Sequence, residues 1–232
     1  EGGNITFLVY GYMNRGRHEG EVGISAFYYD STVNTIEELV YIPSEEPQDV
    51  IIEKVNRLSY INRDGILYLM DNQHIYGINF TERTYEMVAD HLHYNGYVIS
   101  DSNRMIAWQE GDSLENSQTV VLMNLNTGVQ KRIEAKASET IVPIGFIEED
   151  LIYGIVNKND IVTDYARDTV LPMYCVKIEN ENEGVLMTYE QENVYVLSGS
   201  VNQNQITLQR VSKSEDGTYV EIAEDQIVDA ES

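Results

Sequence analysis

Short apolar runs separated by polar turns dominate the chain. Tyr, Val, Ile and Leu gather in runs such as Ile66-Leu67-Tyr68-Leu69 and Asp150-Leu151-Ile152-Tyr153. Turn residues bracket the runs in Asn62-Arg63-Asp64-Gly65, Asn126-Thr127-Gly128, Asn157-Lys158-Asn159-Asp160 and Glu215-Asp216-Gly217. This alternation predicts many short strands joined by tight hairpins. The 3.6-residue apolar spacing of a long amphipathic helix is missing, and only residues 35–40 and 49–58 have room for a helical turn or two. With four Pro and no Gly/Ser-rich linker, nothing marks a boundary, so a single domain over residues 1–232 is expected.

The strand–turn–strand unit recurs. It reads Ala26-Phe27-Tyr28-Tyr29-Asp30-Ser31-Thr32, then Ile75-Tyr76-Gly77-Ile78-Asn79-Phe80-Thr81, then Val120-Val121-Leu122-Met123-Asn124-Leu125-Asn126-Thr127-Gly128. A fourth copy is Met173-Tyr174-Cys175-Val176-Lys177-Ile178-Glu179-Asn180, and a looser fifth is Ile206-Thr207-Leu208-Gln209-Arg210-Val211. Anchored on Tyr28, Tyr76, Leu122, Tyr174 and Leu208, the copies stand 48, 46, 52 and 34 residues apart. A second hairpin precedes each unit, as in residues 58–61 with 66–70 and 144–147 with 151–155. About four strands per repeat of roughly 40–50 residues is the rhythm of propeller blades. A lone blade cannot bury its faces, so such units stack on their neighbours.

The stretch Ser102-Asn103-Arg104-Met105-Ile106-Ala107-Trp108, followed by Val121-Leu122-Met123-Asn124-Leu125-Asn126-Thr127-Gly128, resembles a blade of the TolB-like propellers. It is similar also to the propellers of the prolyl oligopeptidase family. The resemblance implies an all-β propeller, or a partial propeller, with about five repeats of three to four antiparallel strands. It implies no activity, because the Asn-Thr-Gly string supplies turn geometry. The chain begins on a strand-like run, so either a five-bladed ring or a piece of a larger ring is expected. A two-sheet β-sandwich is the alternative architecture.

Charge narrows the partners. Asp and Glu number 39 against 15 Lys and Arg, a formal net charge of −24. Such a field repels phosphate backbones and anionic headgroups, which argues against nucleic acid and against direct membrane association. No apolar stretch approaches the ~18 residues of a membrane span. The single Cys175 sits in an apolar run and makes no internal disulfide, so it reads as a buried small hydrophobe.

Catalytic residues cannot be assigned from the sequence. Ser198-Gly199-Ser200 is the nearest string to a nucleophile elbow and reads as polar turn. His91 and His93, spaced i and i+2, would share one face of a strand. Two loops stand out. Residues 12–20 carry Arg15, Arg17 and His18, and convergent Arg suits a carboxylate or sugar acid. Residues 157–172 form the longest polar insertion, with Asp160, Asp164, Tyr165 and Asp168; the spaced Asp residues suit Ca²⁺, the one cofactor in view. The expected function is a non-enzymatic interaction domain that binds a protein, peptide or glycan partner. Its expected place is outside the cytoplasm in a bacterial envelope protein, with a cytoplasmic setting as the alternative. The rival functions are a carbohydrate-active propeller enzyme of the lyase or sialidase kind and a gating or scaffold domain.

Overall fold

A computed structural model describes residues 4–71, 73–163, 169–202 and 205–228. Among the described residues it is all-β, with one α-helix of about three turns and two short 3-10 turns, and it divides into two compact units, residues 1–91 and 92–232.

The first unit holds two meanders and the helix. Strands β1 (Ile5–Tyr12), β2 (Val22–Asp30) and β3 (Thr35–Pro43) form a three-stranded antiparallel sheet. Helix α1 (Gln48–Arg57) follows, and β4 (Ser59–Ile61), β5 (Ile66–Asp71), β6 (His74–Asn79) and β7 (Thr84–Ala89) form a four-stranded sheet in sequence order. The helix buries Ile51 and Val55, four residues apart on one face, against Ile24, Val40, Ile42, Leu69 and Ile78. The helical expectation for residues 49–58 matches α1 closely. Residues 35–40 are instead strand, because they pair along β2 with Thr35 opposite Asp30 and Val40 opposite Ala26.

The second unit stacks three meanders. Strands β8 (Tyr97–Ile99), β9 (Met105–Glu110), β10 (Thr119–Asn124) and β11 (Val129–Glu134) form one four-stranded sheet. A second begins with β12 (Glu139–Ile147) and β13 (Asp150–Asn157). After the two-residue strands β14 (Val162–Thr163) and β15 (Thr169–Val170), it continues with β16 (Met173–Asn180) and β17 (Gly184–Glu190). The third is β18 (Val194–Asn202), β19 (Gln205–Lys213) and β20 (Tyr219–Val228), joined to β16 by the single pair Met173–Val196. Strand β13 shows why its sequence is almost continuously apolar. Leu151, Tyr153 and Ile155 pack with Leu122 and Val120 on one side. Ile152 and Val156 pack with Val196, Ile206 and Leu208 on the other. A strand buried on both faces loses the polar alternation of a half-exposed one. Each fully buried Leu or Ile here contributes on the order of 1.5–3 kcal/mol.

The structure therefore has five propeller-type meanders of three to four antiparallel strands, as the repeat spacing predicts. The final hairpins of the first four share one turn. Asp30 Oδ1 accepts the Thr32 N–H at 2.8 Å. Asn79 accepts those of Thr81 and Glu82, Asn124 those of Asn126 and Thr127, and Asn180 those of Asn182 and Glu183, all at 2.9–3.3 Å. Four residues beyond each stands a left-handed residue: Asn34 (φ 53°), Arg83 (60°), Gly128 (74°) and Gly184 (85°). The short Asx side chain replaces a backbone acceptor and starts the turn, and the left-handed residue closes it. Ser198-Gly199-Ser200, expected as turn, lies inside β18, where the pairing with β19 slips between Val196 and Ser198.

Candidate functional site

The loop joining β1 and β2 is a closed turn. The backbone closes on itself, with Met13 N–H donating to Glu21 O at 2.8 Å and Gly20 N–H to Met13 O at 2.9 Å. Arg15 and Arg17 are exposed and pair with no carboxylate among the described residues. His18 turns inward instead. Its ring stacks on Tyr41 with centroids 3.6 Å apart, Nδ1 lies 3.4 Å from Glu21 and Nε2 3.3 Å from Glu38. Ser25 Oγ donates to the other Glu38 oxygen at 2.7 Å. Burial, helped by Glu21 and then Glu38, pushes the Tyr41 hydroxyl up to about 12. These groups satisfy one another, so they fix the loop more than they offer a site.

Asp160 is likewise engaged, accepting from Lys213 Nζ at 2.7 Å, while Lys213 lies over the Tyr219 ring. Asp164, Tyr165 and Asp168 lie outside the described residues. His91 and His93 do not share a strand face. His91 has φ 53° in a turn and pairs with Asp90 at 2.7 Å, and His93 Nε2 sits 2.9 Å from Gly111 O. The residue before them, Asp90, already lies past the end of β7. Among the described residues, no three His, Cys, Asp or Glu side chains are placed to share a metal ion.

Sequence reasoning passed over a polar cluster at the β5–β6 hairpin. Asp71 and His74 are cross-strand partners, and His74 Nε2 lies 2.8 Å from Asp90. Asp71 is 1% exposed, yet among the described residues its Oδ1 has no hydrogen-bond partner, and neither does His74 Nδ1. Burial raises the Asp71 carboxyl above its ordinary value, opposed by a hydrogen bond from Ser44. The folded state thus holds the Asp71 proton more tightly than the unfolded chain does. Stability from this group falls as pH rises from near 4 through the folded value. Replacing Asp71 with Asn should therefore stabilise the protein at pH 7 by about 1–2 kcal/mol, since it removes a buried, half-satisfied charge. The gain should shrink as pH falls through this range and vanish below about pH 3, where Asp71 is protonated in both states. Melting curves of the two proteins at about pH 3 and pH 7 check this, and an equal or lower melting point for the variant at pH 7 would refute it.

A cleft of about 170 Å³ in the second unit is the better candidate. It lies where the Asx turn after β10 faces the one after β16, beside the β12–β13 hairpin, and is lined by Arg104, Asn124, Glu149, Asn180, Glu181 and Asn182, among others. Arg104 Nη2 donates to Glu149 Oε1 at 2.9 Å, and Ser102 Oγ donates to the same oxygen at 2.7 Å. Asn124 Nδ2 donates to Glu181 Oε2 at 2.8 Å, and Asn180 Nδ2 to Asp150 at 2.6 Å. The Asn carbonyl oxygens are already committed to their turns. What remains is Glu149 Oε2, which is buried without a partner, and Glu181 Oε1, which accepts from no described residue.

The turn is held from beneath. Lys131 Nζ lies 2.7 Å from Glu179 Oε1 and donates also to the carbonyls of Asn180 and Glu181 at 3.4 and 3.5 Å. Tyr153 OH donates to Glu179 Oε2 at 2.7 Å, and burial followed by this carboxylate pushes the Tyr153 hydroxyl far up.

No protein-family model matches the chain, and no curated protein does. Solved structures do resemble it. A conserved lipoprotein, so named provisionally, from Clostridium novyi NT is 17% identical, with 57% of this chain and 84% of that one covered and a TM-score of 0.44. TolB from Acinetobacter baumannii is 12% identical over 94% of this chain and 62% of its own, at 0.29. Dipeptidyl peptidase 4 from Porphyromonas gingivalis is 11% identical over 92% of this chain and 44% of its own, at 0.30. The resemblance is structural and extends to no activity, ligand or partner.

Proposed function

We propose that this chain is a non-enzymatic propeller-type interaction domain of a bacterial envelope protein, and that it binds a protein partner bearing a Lys or Arg side chain. The observation that supports this reading is the pair of uncommitted carboxylate oxygens in the cleft, Glu149 Oε2 and Glu181 Oε1. A bare carboxylate oxygen calls for a donor, and a cationic donor forms the stronger hydrogen bond. The net charge of −24 favours the same partner at longer range by steering cations toward the surface. Arg104, tied to Glu149, holds that carboxylate in one orientation and so lowers the ordering cost of binding.

Titration calorimetry with acetyl-Gly-Arg-Gly-amide, acetyl-Gly-Lys-Gly-amide, the neutral Gln analogue and neutral oligosaccharides tests the reading. The cationic peptides should bind at least tenfold more tightly than the others. Glu149→Gln should cut their affinity roughly ten- to hundredfold with little change in melting temperature, as losing one charge-assisted hydrogen bond of roughly 1.5–3 kcal/mol implies. Stronger binding of an oligosaccharide, or an unchanged affinity in the variant, would count against it.

A further inference from the structure

Among the described residues, the last strand of each meander is an edge in hydrogen-bonding terms. Protein edges are commonly blunted by charged side chains that deter pairing with another chain. Four of the five follow this rule. Strand β3 carries Glu37 and Glu38, β7 carries Glu86, β11 carries Lys131 and Arg132, and β20 carries Glu221, Glu224 and Asp225. Strand β17 does not. From Gly184 to Tyr189 it reads Gly-Val-Leu-Met-Thr-Tyr, without a charge until Glu190. Three successive apolar side chains stand exposed there, Val185 at 48%, Leu186 at 49% and Met187 at 38%.

The pairing with β16 bulges at Leu186, but Met187 and Thr188 stand in register opposite Ile178 and Lys177 and both are exposed, so both faces of this edge are open. The strand is not loose. It pairs with β16 from Gly184 to Glu190 apart from a bulge at Leu186, and Tyr189 OH donates to Asp225 at 2.9 Å while accepting from Arg210. A firm, two-faced edge with no charge from Gly184 to Tyr189 is a template for strand addition. Acidic residues bracket its apolar run, with Glu181 and Glu183 before the strand, Glu190 as its last residue and Glu192 beyond. The turn that precedes β17 is the one that lines the cleft.

We propose that β17 receives an extended segment of a protein partner as an added strand, with apolar residues along Val185, Leu186 and Met187 and basic residues at both ends. This deepens the function proposed above and rests on it for the basic residue that reaches Glu181 and Glu149. Charge complementarity selects the occupant. Two copies of this chain joined through β17 would bring their acidic brackets together, whereas a basic–apolar–basic segment neutralises both ends.

The test uses the fluorescently labelled peptide Lys-Val-Thr-Val-Thr-Val-Lys. Two controls accompany it, one with Glu at both ends and one with Pro at the central Val. The whole chain should bind the first peptide at least tenfold more tightly than either control, and binding should slow amide exchange across residues 184–190. Leu186→Lys, a change at an exposed side chain, should weaken binding at least tenfold without lowering the melting temperature. Equal binding of the Pro peptide, unchanged affinity in the Leu186→Lys protein, or no protection of residues 184–190 would overturn strand addition. Sedimentation showing a peptide-free dimer with residues 184–190 protected would overturn it in favour of a second copy. Glu149→Gln in the same assay separates the two proposals. Loss with Glu149→Gln alone leaves the cleft reading and removes the strand. Loss with Leu186→Lys alone does the reverse.

Discussion

Replacing Glu179 with Ala should lower the melting temperature by about 6–12 °C, corresponding to roughly 3 kcal/mol for a broken buried ion pair in a chain of this size. Glu179 is 6% exposed and holds two partners, the Tyr153 hydroxyl and the Lys131 ammonium, each at 2.7 Å. Truncation leaves the Tyr153 hydroxyl buried without an acceptor and the Lys131 charge without its nearest counterion. Desolvation of the orphaned groups is the larger part of the cost. Glu179→Gln keeps an acceptor for Tyr153 and should lose only about 1 kcal/mol. Calorimetric melts of the two variants give the comparison, and equal losses would mean that the carboxylate charge is not what secures the strand. Lys131 also reaches the carbonyls of the turn after β16. The Ala variant should therefore weaken cationic peptide binding, even at a temperature where it is fully folded.

Much of the fold was legible because its strongest feature is local. A run such as Leu151-Ile152-Tyr153, apolar at successive positions, short and closed by turn residues, is the pattern of a strand buried on both faces between two sheets. The helix at residues 48–57 was legible from the spacing of Ile51 and Val55. Residues 35–40 were ambiguous because Ile36 and Val40, four apart, share a face in a helix and in a strand alike, and pairing with β2 decided it. The cleft was less legible. Its residues come from turns tens of positions apart in sequence, and only the stacking of two meanders brings Asn124 beside Glu181. The shared turn was a readable signal. Asp30, Asn79, Asn124 and Asn180 each precede a left-handed residue by four positions, and that alignment marks which loops occupy equivalent places. The inward turn of His18 was not legible, because the stack on Tyr41 depends on a glycine across the sheet.

That glycine is Gly23, and its replacement with Ala should destabilise the first unit by about 3 kcal/mol or more. A Cβ there would stand 2.5 Å from the Ile42 carbonyl oxygen and 2.7 Å from the Tyr41 ring. Neither can retreat. The carbonyl belongs to a backbone paired across β2 and β3, with Ile24 opposite Ile42. The Tyr41 ring has His18 stacked on it at 3.6 Å, and its hydroxyl donates to Val22 O. The added methyl must therefore part the two strands or expel the ring, and forcing extra volume into a packed site typically costs about 1–3 kcal/mol before any ladder hydrogen bond is lost. Losing the ring's position would also free His18 from Glu21 and Glu38 and open the loop of Arg15 and Arg17. Hydrogen exchange should rise across residues 13–43 in the variant, with the helix at residues 48–57 loosening next because it packs on Ile24 and Ile42. Unchanged protection of residues 22–43 would show that β2 and β3 have slack that the 2.5 Å approach denies.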